Sequence, residues 1–257
     1  MDNSFSQLIN LMARLRGPAG CPWDREQTPE SLKPFLIEEC YEVIEALDEG
    51  SPDKVKEELG DLLFQIIFHA RIAEEQGAFT IQDVAGTIVD KMTRRHPHVF
   101  GGEKVSTSGE VLANWEEIKK KEKAHQKRTS ILDGVPQGMP ALLRAHGIQK
   151  RAARVGFDWN ELDEALPKLD EEIAEFKESL KTKDATAIEE ELGDIFFTLV
   201  NISRFLEINP EDALRKTISK FIHRFRYIEE NAAEAGRSLK DMTLDEMEKL
   251  WQEAKKK

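Results

Sequence analysis

The 257-residue chain is predicted to be all-α, built as two copies of one helical unit. Apolar residues recur at three- and four-residue spacing nearly everywhere, while alternating runs of Val, Ile, Thr and Tyr are almost absent. Five acids also occur twice with one internal spacing. Glu38, Glu39, Glu42, Glu58 and Asp61 are matched, each 133 residues later, by Glu171, Glu172, Glu175, Glu191 and Asp194. The connectors between the acid sets are unrelated, Gly50-Ser51-Pro52 against Lys183-Asp184-Ala185, so the acids are held while their surroundings drift. Self-similarity at a fixed offset marks a duplicated structural unit.

The elements follow in order. Phe5, Leu8, Ile9, Met12 and Leu15 form one helical stripe, ended at 17–22, where two prolines and two glycines cannot continue a helix. A helix is expected over 30–48, with Pro34 in its first turns, where a missing N–H is tolerated. Ser51 then caps a long helix running to 75, with Leu59, Leu62, Leu63, Ile66, Ile67 and Ala70 as its buried side. The short connection between the two makes them an antiparallel hairpin. A helix over 80–95 ends at His96-Pro97, and a loop with Gly101, Gly102 and Gly109 leads to a helix around Trp115. Residues 126–140, holding Gly134, Pro136, Gly138 and Pro140, read as a linker between domains 1–125 and 141–257. Beyond it come helices over 162–180, 185–206 and 210–233 and a last one around Trp251.

The repeat reaches past the acids. Leu47, Leu59, Gly60, Phe64 and Arg71 match Leu180, Leu192, Gly193, Phe197 and Arg204 at the same offset. Lys91 and Arg95 match Lys220 and Arg224 at an offset of 129, and the lysine-rich helix at Trp115 resembles the one at Trp251. Each half thus carries acids, then a basic pair, then a tryptophan.

Composition narrows the function. Hydrophobic residues at 40% suffice for a packed core, and the net charge of -12 argues against binding a nucleic-acid polymer. It leaves room for a small polyphosphate, because divalent ions would reverse the local field. No segment approaches the ~18 apolar residues of a membrane span, and the N-terminus has no basic-then-apolar leader, so a cytoplasmic protein is expected. Cys21 and Cys40 are too few for a zinc site or a disulfide framework. No P-loop, no Rossmann glycine loop and no Ser/His/Asp arrangement can be singled out. A di-iron bundle would want two Glu-x-x-His motifs, and the chain has one, from Glu122 to His125.

Helical spacing puts Glu38/Glu42, Glu39/Glu42 and Glu58/Asp61 each on one face, and the hairpin can bring the two sets together. Like charges so placed repel by roughly a few tenths of a kcal/mol per pair, a penalty that a bound cation removes. Oxygen donors without His or Cys point to Mg²⁺ or Mn²⁺ rather than zinc. A solvated acidic face is the competing reading of one such motif, and recurrence of all five acids counts against it. Lys91/Arg95 and Lys220/Arg224 are i, i+4 pairs that can clamp phosphate oxygens, or else surface charges near helix ends. Trp115 and Trp251 can stack on a nucleobase or pack in a core, and Phe157 and Trp159 pose the same choice.

Glu-Glu-x-x-Glu followed at hairpin distance by Glu-x-x-Asp resembles the signature of the MazG-type, all-α nucleoside triphosphate pyrophosphohydrolases. The stretches 21–24, 94–100 and 155–159 extend that resemblance over nearly the whole chain. It implies tandem helical bundle domains, a tight homodimer, and Mg²⁺-dependent hydrolysis of an NTP or dNTP to the monophosphate and pyrophosphate. It implies Glu39, Glu42, Glu58 and Asp61 as metal ligands in the first half and Glu172, Glu175, Glu191 and Asp194 in the second. Glu38 and Glu171 are then left to orient or deprotonate the attacking water. Lys168, Lys220, Arg224 and Trp251 would contact triphosphate and base, with Lys91, Arg95 and Trp115 as first-half counterparts. The 21–27 loop and the 97–109 insertion occur in the first half alone, so the second half is expected to do most of the turnover. Two alternatives stay open: a sensing module that binds metal or nucleotide without hydrolysis, and a narrower relative acting on dUTP, dCTP or phosphoribosyl-ATP.

Overall fold

A computed structural model of the chain describes residues 4–122 and 129–256, and every described element is helical. The chain divides into two compact units, 1–122 and 123–257. The first contains α1 (Ser4–Leu15), α2 (Pro22–Glu26), α3 (Lys33–Glu49), α4 (Pro52–Glu75), α5 (Ile81–Arg95), α6 (Pro97–Phe100) and α7 (Ser108–Lys121). The second contains α8 (Ala141–Ala153), α9 (Leu162–Thr182), α10 (Ala185–Phe205), α11 (Pro210–Glu234), a 3₁₀ turn (Leu239–Asp241) and α12 (Leu244–Ala254).

In each unit the dominant packing is the hairpin that carries the acids, α3 on α4 and α9 on α10. Its turn explains how unrelated connectors build one geometry. Gly50 and Lys183, equivalent in the repeat, both adopt the left-handed conformation, with φ of 68° and 58°. Each is followed by a residue that caps the next helix: Ser51 accepts from the Lys54 N–H and Asp184 from the Thr186 N–H. A side chain in the left-handed region costs roughly 1 kcal/mol, so Lys183 tolerates strain that Gly50 avoids. The capping box of Thr80 and Asp83 starts α5, and Asn209 caps α11.

The first unit has a contiguous core of Met12, Leu32, Ile67, Phe68, Ala70, Ile72 and Ile81, flanked by Leu8, Ile9, Phe35, Leu63 and Phe64. Two residues expected on the buried side of α4 are not covered: Leu59 is 50% exposed and Ile66 39%. Helical periodicity assigned them to the apolar face correctly, but that face is wider than the neighbours within the chain. Their repeat partners Leu192 and Leu199, and Leu47 and Leu180 on the opposing helices, are exposed too, so both hairpins present the same apolar Leu/Leu pair across their two helices. In the second unit Ala165, Val200, Ile228, Ala232 and Ala254 are buried, while Phe196, Phe197, Leu199, Ile218 and Phe221 are exposed.

Besides the single turn of α6, which falls where a loop is expected, three parts of the fold depart from the sequence reading. The stretch 17–27 is not all loop, because Pro22 at a helix start seeds the single turn of α2. It is fastened by Arg16, which donates to the carbonyls of Asp24 and Gln27 and pairs with Glu75 at 2.7 Å. The second is α8, whose apolar stripe is broken by buried Gln149, which donates to the Phe197 carbonyl at 2.8 Å. The third is α3, which begins at Lys33 rather than residue 30 because Thr28 and Ser31 bond each other's backbone in a preceding turn. Within the expected linker, residues 126–128 lie outside the described residues. Arg151 of α8 donates to the carbonyls of Asp133 and Gly134, which ties the following stretch to the second unit.

Candidate active site

The hairpins bring the acids together as helical spacing requires. In the first unit, carboxylate oxygens of Glu39 on α3 and of Glu58 and Asp61 on α4 all lie within 4.8 Å of one another. Burial pushes the Glu39 carboxyl up, opposed by its bond from Gln65, and the Glu42 and Asp61 charges push the same way as burial. Burial likewise raises Glu58, with Glu42 and Asp61 adding to it. Glu42 is therefore in electrostatic reach of both, although the closest-set oxygens are those of the other three. Glu38 is exposed beside them.

In the second unit the set within 4.8 Å is Glu172 and Glu175 of α9 with Glu191 of α10. Burial raises Glu191, followed by the charges of Glu175, Asp194 and Glu172. Glu172 is the most enclosed acid, 5% exposed, and Asp194 lies on the solvent side. Six oxygens at ~2.1 Å from a small ion would stand ~3 to ~4.2 Å apart, so either set fits an octahedral hard cation with small rotamer adjustments. Neither contains a His or Cys, so the donors suit Mg²⁺ or Mn²⁺ better than zinc.

The two clusters are served differently by their neighbours. Lys168 spans two acids, at 2.7 Å from Glu171 and 2.9 Å from Glu172, and these bonds hold its ammonium well above its ordinary range. At the equivalent position the first unit has Phe35, which packs on the core and meets the Trp23 ring edge-on at 5.9 Å. There the buried donor is Gln65, whose Nε2 reaches Glu39 at 3.5 Å and whose Oε1 has no hydrogen-bond partner among the described residues. Gln65 escaped the sequence reading, although an amide in the apolar register between Phe64 and Ile66 is a visible anomaly.

The basic and aromatic residues also recur as a geometric motif. Arg95 of α5 lies over the Trp115 ring of α7, its guanidinium carbon 5.1 Å from the centroid, and Arg224 of α11 lies over Trp251 of α12 at 5.5 Å. His96 meets Trp115 edge-on at 5.0 Å, and Phe221 meets Trp251 at a tilt at 5.1 Å. The units differ in one respect. Arg95 is bound by Glu122, whereas Lys91, Lys220 and Arg224 form no ion pair among the described residues. Phe157 stands 82% exposed and Trp159 37%, so neither belongs to a core.

Comparison with known proteins matches the MazG nucleotide pyrophosphohydrolase domain to residues 27–100 and again to 161–228, together more than half of the chain. The chain belongs to the MazG family. Each matched range covers one acid-bearing hairpin and the Lys/Arg pair that follows it. The chain is 48% identical to the nucleoside triphosphate pyrophosphohydrolase/pyrophosphatase MazG of Thermotoga maritima, over 98% of this chain and 95% of that one. It is 44% identical to the nucleoside triphosphate pyrophosphohydrolase of Escherichia coli K12, over 99% and 98%. A longer protein, YabN of Bacillus subtilis, is 50% identical over 98% of this chain and 52% of its own length. No helix among the described residues is long and apolar enough to cross a membrane.

Proposed function

We propose that the chain hydrolyses nucleoside triphosphates to monophosphate and pyrophosphate with Mg²⁺, or Mn²⁺ in its place, and that the second MazG domain does most of the turnover. The observation that carries this reading is the carboxylate set of Glu172, Glu175 and Glu191 in a domain whose Lys220 and Arg224 meet no carboxylate among the described residues. Glu172, Glu175, Glu191 and Asp194 would hold the cation, which when bound supplies charge neutralisation for the polyphosphate. Lys220 and Arg224 hold phosphate oxygens, and Trp251 offers a ring face to the base. Glu171 accepts the proton of the attacking water. Its carboxylate is shared with Lys168 in the resting chain, so a triphosphate that draws the ammonium away frees Glu171 to act as base. Glu38, Glu39, Glu42, Glu58 and Asp61 form the corresponding set of the first domain, with Lys91, Arg95 and Trp115 as its contacts.

Incubation with Mg²⁺ and a panel of NTPs and dNTPs tests the reaction, with ³¹P resonances following the products. Monophosphate and pyrophosphate are expected. Diphosphate and orthophosphate would mean a different bond is cleaved, and tight binding without turnover would favour a sensing module.

We place the protein in the cytoplasm as a homodimer that binds neither nucleic-acid polymers nor membranes. The support for the dimer is the exposed Leu47/Leu59 pair of the first unit and, in the second, the exposed Leu180/Leu192 pair and phenylalanines of α10, apolar surfaces that a second copy would cover. Light scattering at micromolar concentration should give at least twice the chain mass, and a value near 29.4 kDa would contradict the dimer.

A further inference from the structure

Glu122 closes the Arg/Trp motif of the first unit. Its Oε2 accepts from Arg95 Nη2 at 2.6 Å, and its Oε1 accepts from Arg95 Nε at 3.0 Å and Arg94 Nη2 at 2.9 Å. Both sides of the Arg95 pair are secluded, the guanidinium side chain 8% exposed and the carboxylate side chain 14%. This two-pronged contact is the geometry that a guanidinium offers a phosphate. The second unit has the same arginine over the same tryptophan, and among the described residues no carboxylate meets it.

We propose that Glu122 is a specificity-determining residue that decides which domain accepts a nucleotide: its carboxylate occupies, on Arg94 and Arg95, the anion position that Arg224 leaves open to a phosphate. The inference rests on the reading of Lys220, Arg224 and Trp251 as nucleotide contacts. The paired guanidinium groups hold the Glu122 carboxyl down at about 2, so it stays ionised at any working pH and a phosphate must displace a charged competitor. A buried pair already satisfied at three hydrogen bonds gives a flexible ligand little to gain.

Calorimetric titration of the full chain with α,β-methylene ATP and Mg²⁺ tests this by stoichiometry. The wild-type chain should bind one nucleotide and Glu122→Ala two. Arg224→Met should bind none, and Arg224→Met combined with Glu122→Ala should bind one, now in the first domain. Should Glu122→Ala lose its circular dichroism spectrum, Glu122→Gln keeps an oxygen facing the guanidinium without the charge and should also admit a second nucleotide. One nucleotide per chain in every folded Glu122 variant, or two in the wild type, would overturn the inference. No binding by the wild type with one site gained in Glu122→Ala would uphold the role of Glu122 and sink the second-domain reading. No binding by either would overturn both.

Discussion

Glu175→Gln should lose on the order of a hundredfold or more in turnover, whereas Glu42→Gln, the same change at the equivalent position, should lose little. Glu175 is one of three carboxylates converging within 4.8 Å in the second unit, and its amide replacement keeps the shape but removes the anionic donor. The same replacement relieves Glu191 of a neighbouring charge that pushes its carboxyl up, so without metal the variant should melt at or slightly above the wild-type temperature. Kinetics at saturating Mg²⁺, with melting curves on the same samples, check both halves of the expectation. Equal losses in the two variants would mean two working sites. The reverse asymmetry would move turnover to the first unit.

The largest loss of stability is expected from Phe68→Ala. Phe68 is 1% exposed, meets the Phe64 ring edge-on at 6.1 Å and lies under the Arg16 guanidinium at 5.5 Å. Removing a buried aromatic ring forfeits its transfer energy and leaves a cavity, about 3–5 kcal/mol. Phe157→Ala, at an 82% exposed ring, should stay within ~0.5 kcal/mol. Urea unfolding of the two variants measures the contrast, and a Phe68→Ala loss below ~1 kcal/mol would contradict the core as described.

The acid hairpins were legible because two periodicities agree there: helical spacing aligns the acids, and the repeat singles out the same five in each half. The repeat brought out the basic pairs and the tryptophans but not that they meet, since Arg95 and Trp115 sit on different helices. What escaped has physical reasons. α2 and α6 are single turns, too short to show a stripe. In α8 a buried glutamine bonded to a helix carbonyl interrupts the apolar pattern. The hold of Glu122 on Arg95 joins residues 27 apart through tertiary packing, which no local spacing announces. Lys168 shows the opposite case: its i, i+3 and i, i+4 spacing to Glu171 and Glu172 is visible in the sequence, where the resemblance implies a substrate contact, and in the structure it pairs with both acids.

Dependence of hydrolysis on a divalent cation tests the account most directly, because every role given to the carboxylate clusters presupposes one. After exhaustive treatment with EDTA, release of pyrophosphate from a nucleoside triphosphate should fall to background, and adding Mg²⁺ back should restore it. Hydrolysis that survives the chelator unchanged would contradict the assignment of Glu172, Glu175, Glu191 and Asp194 as a cation site.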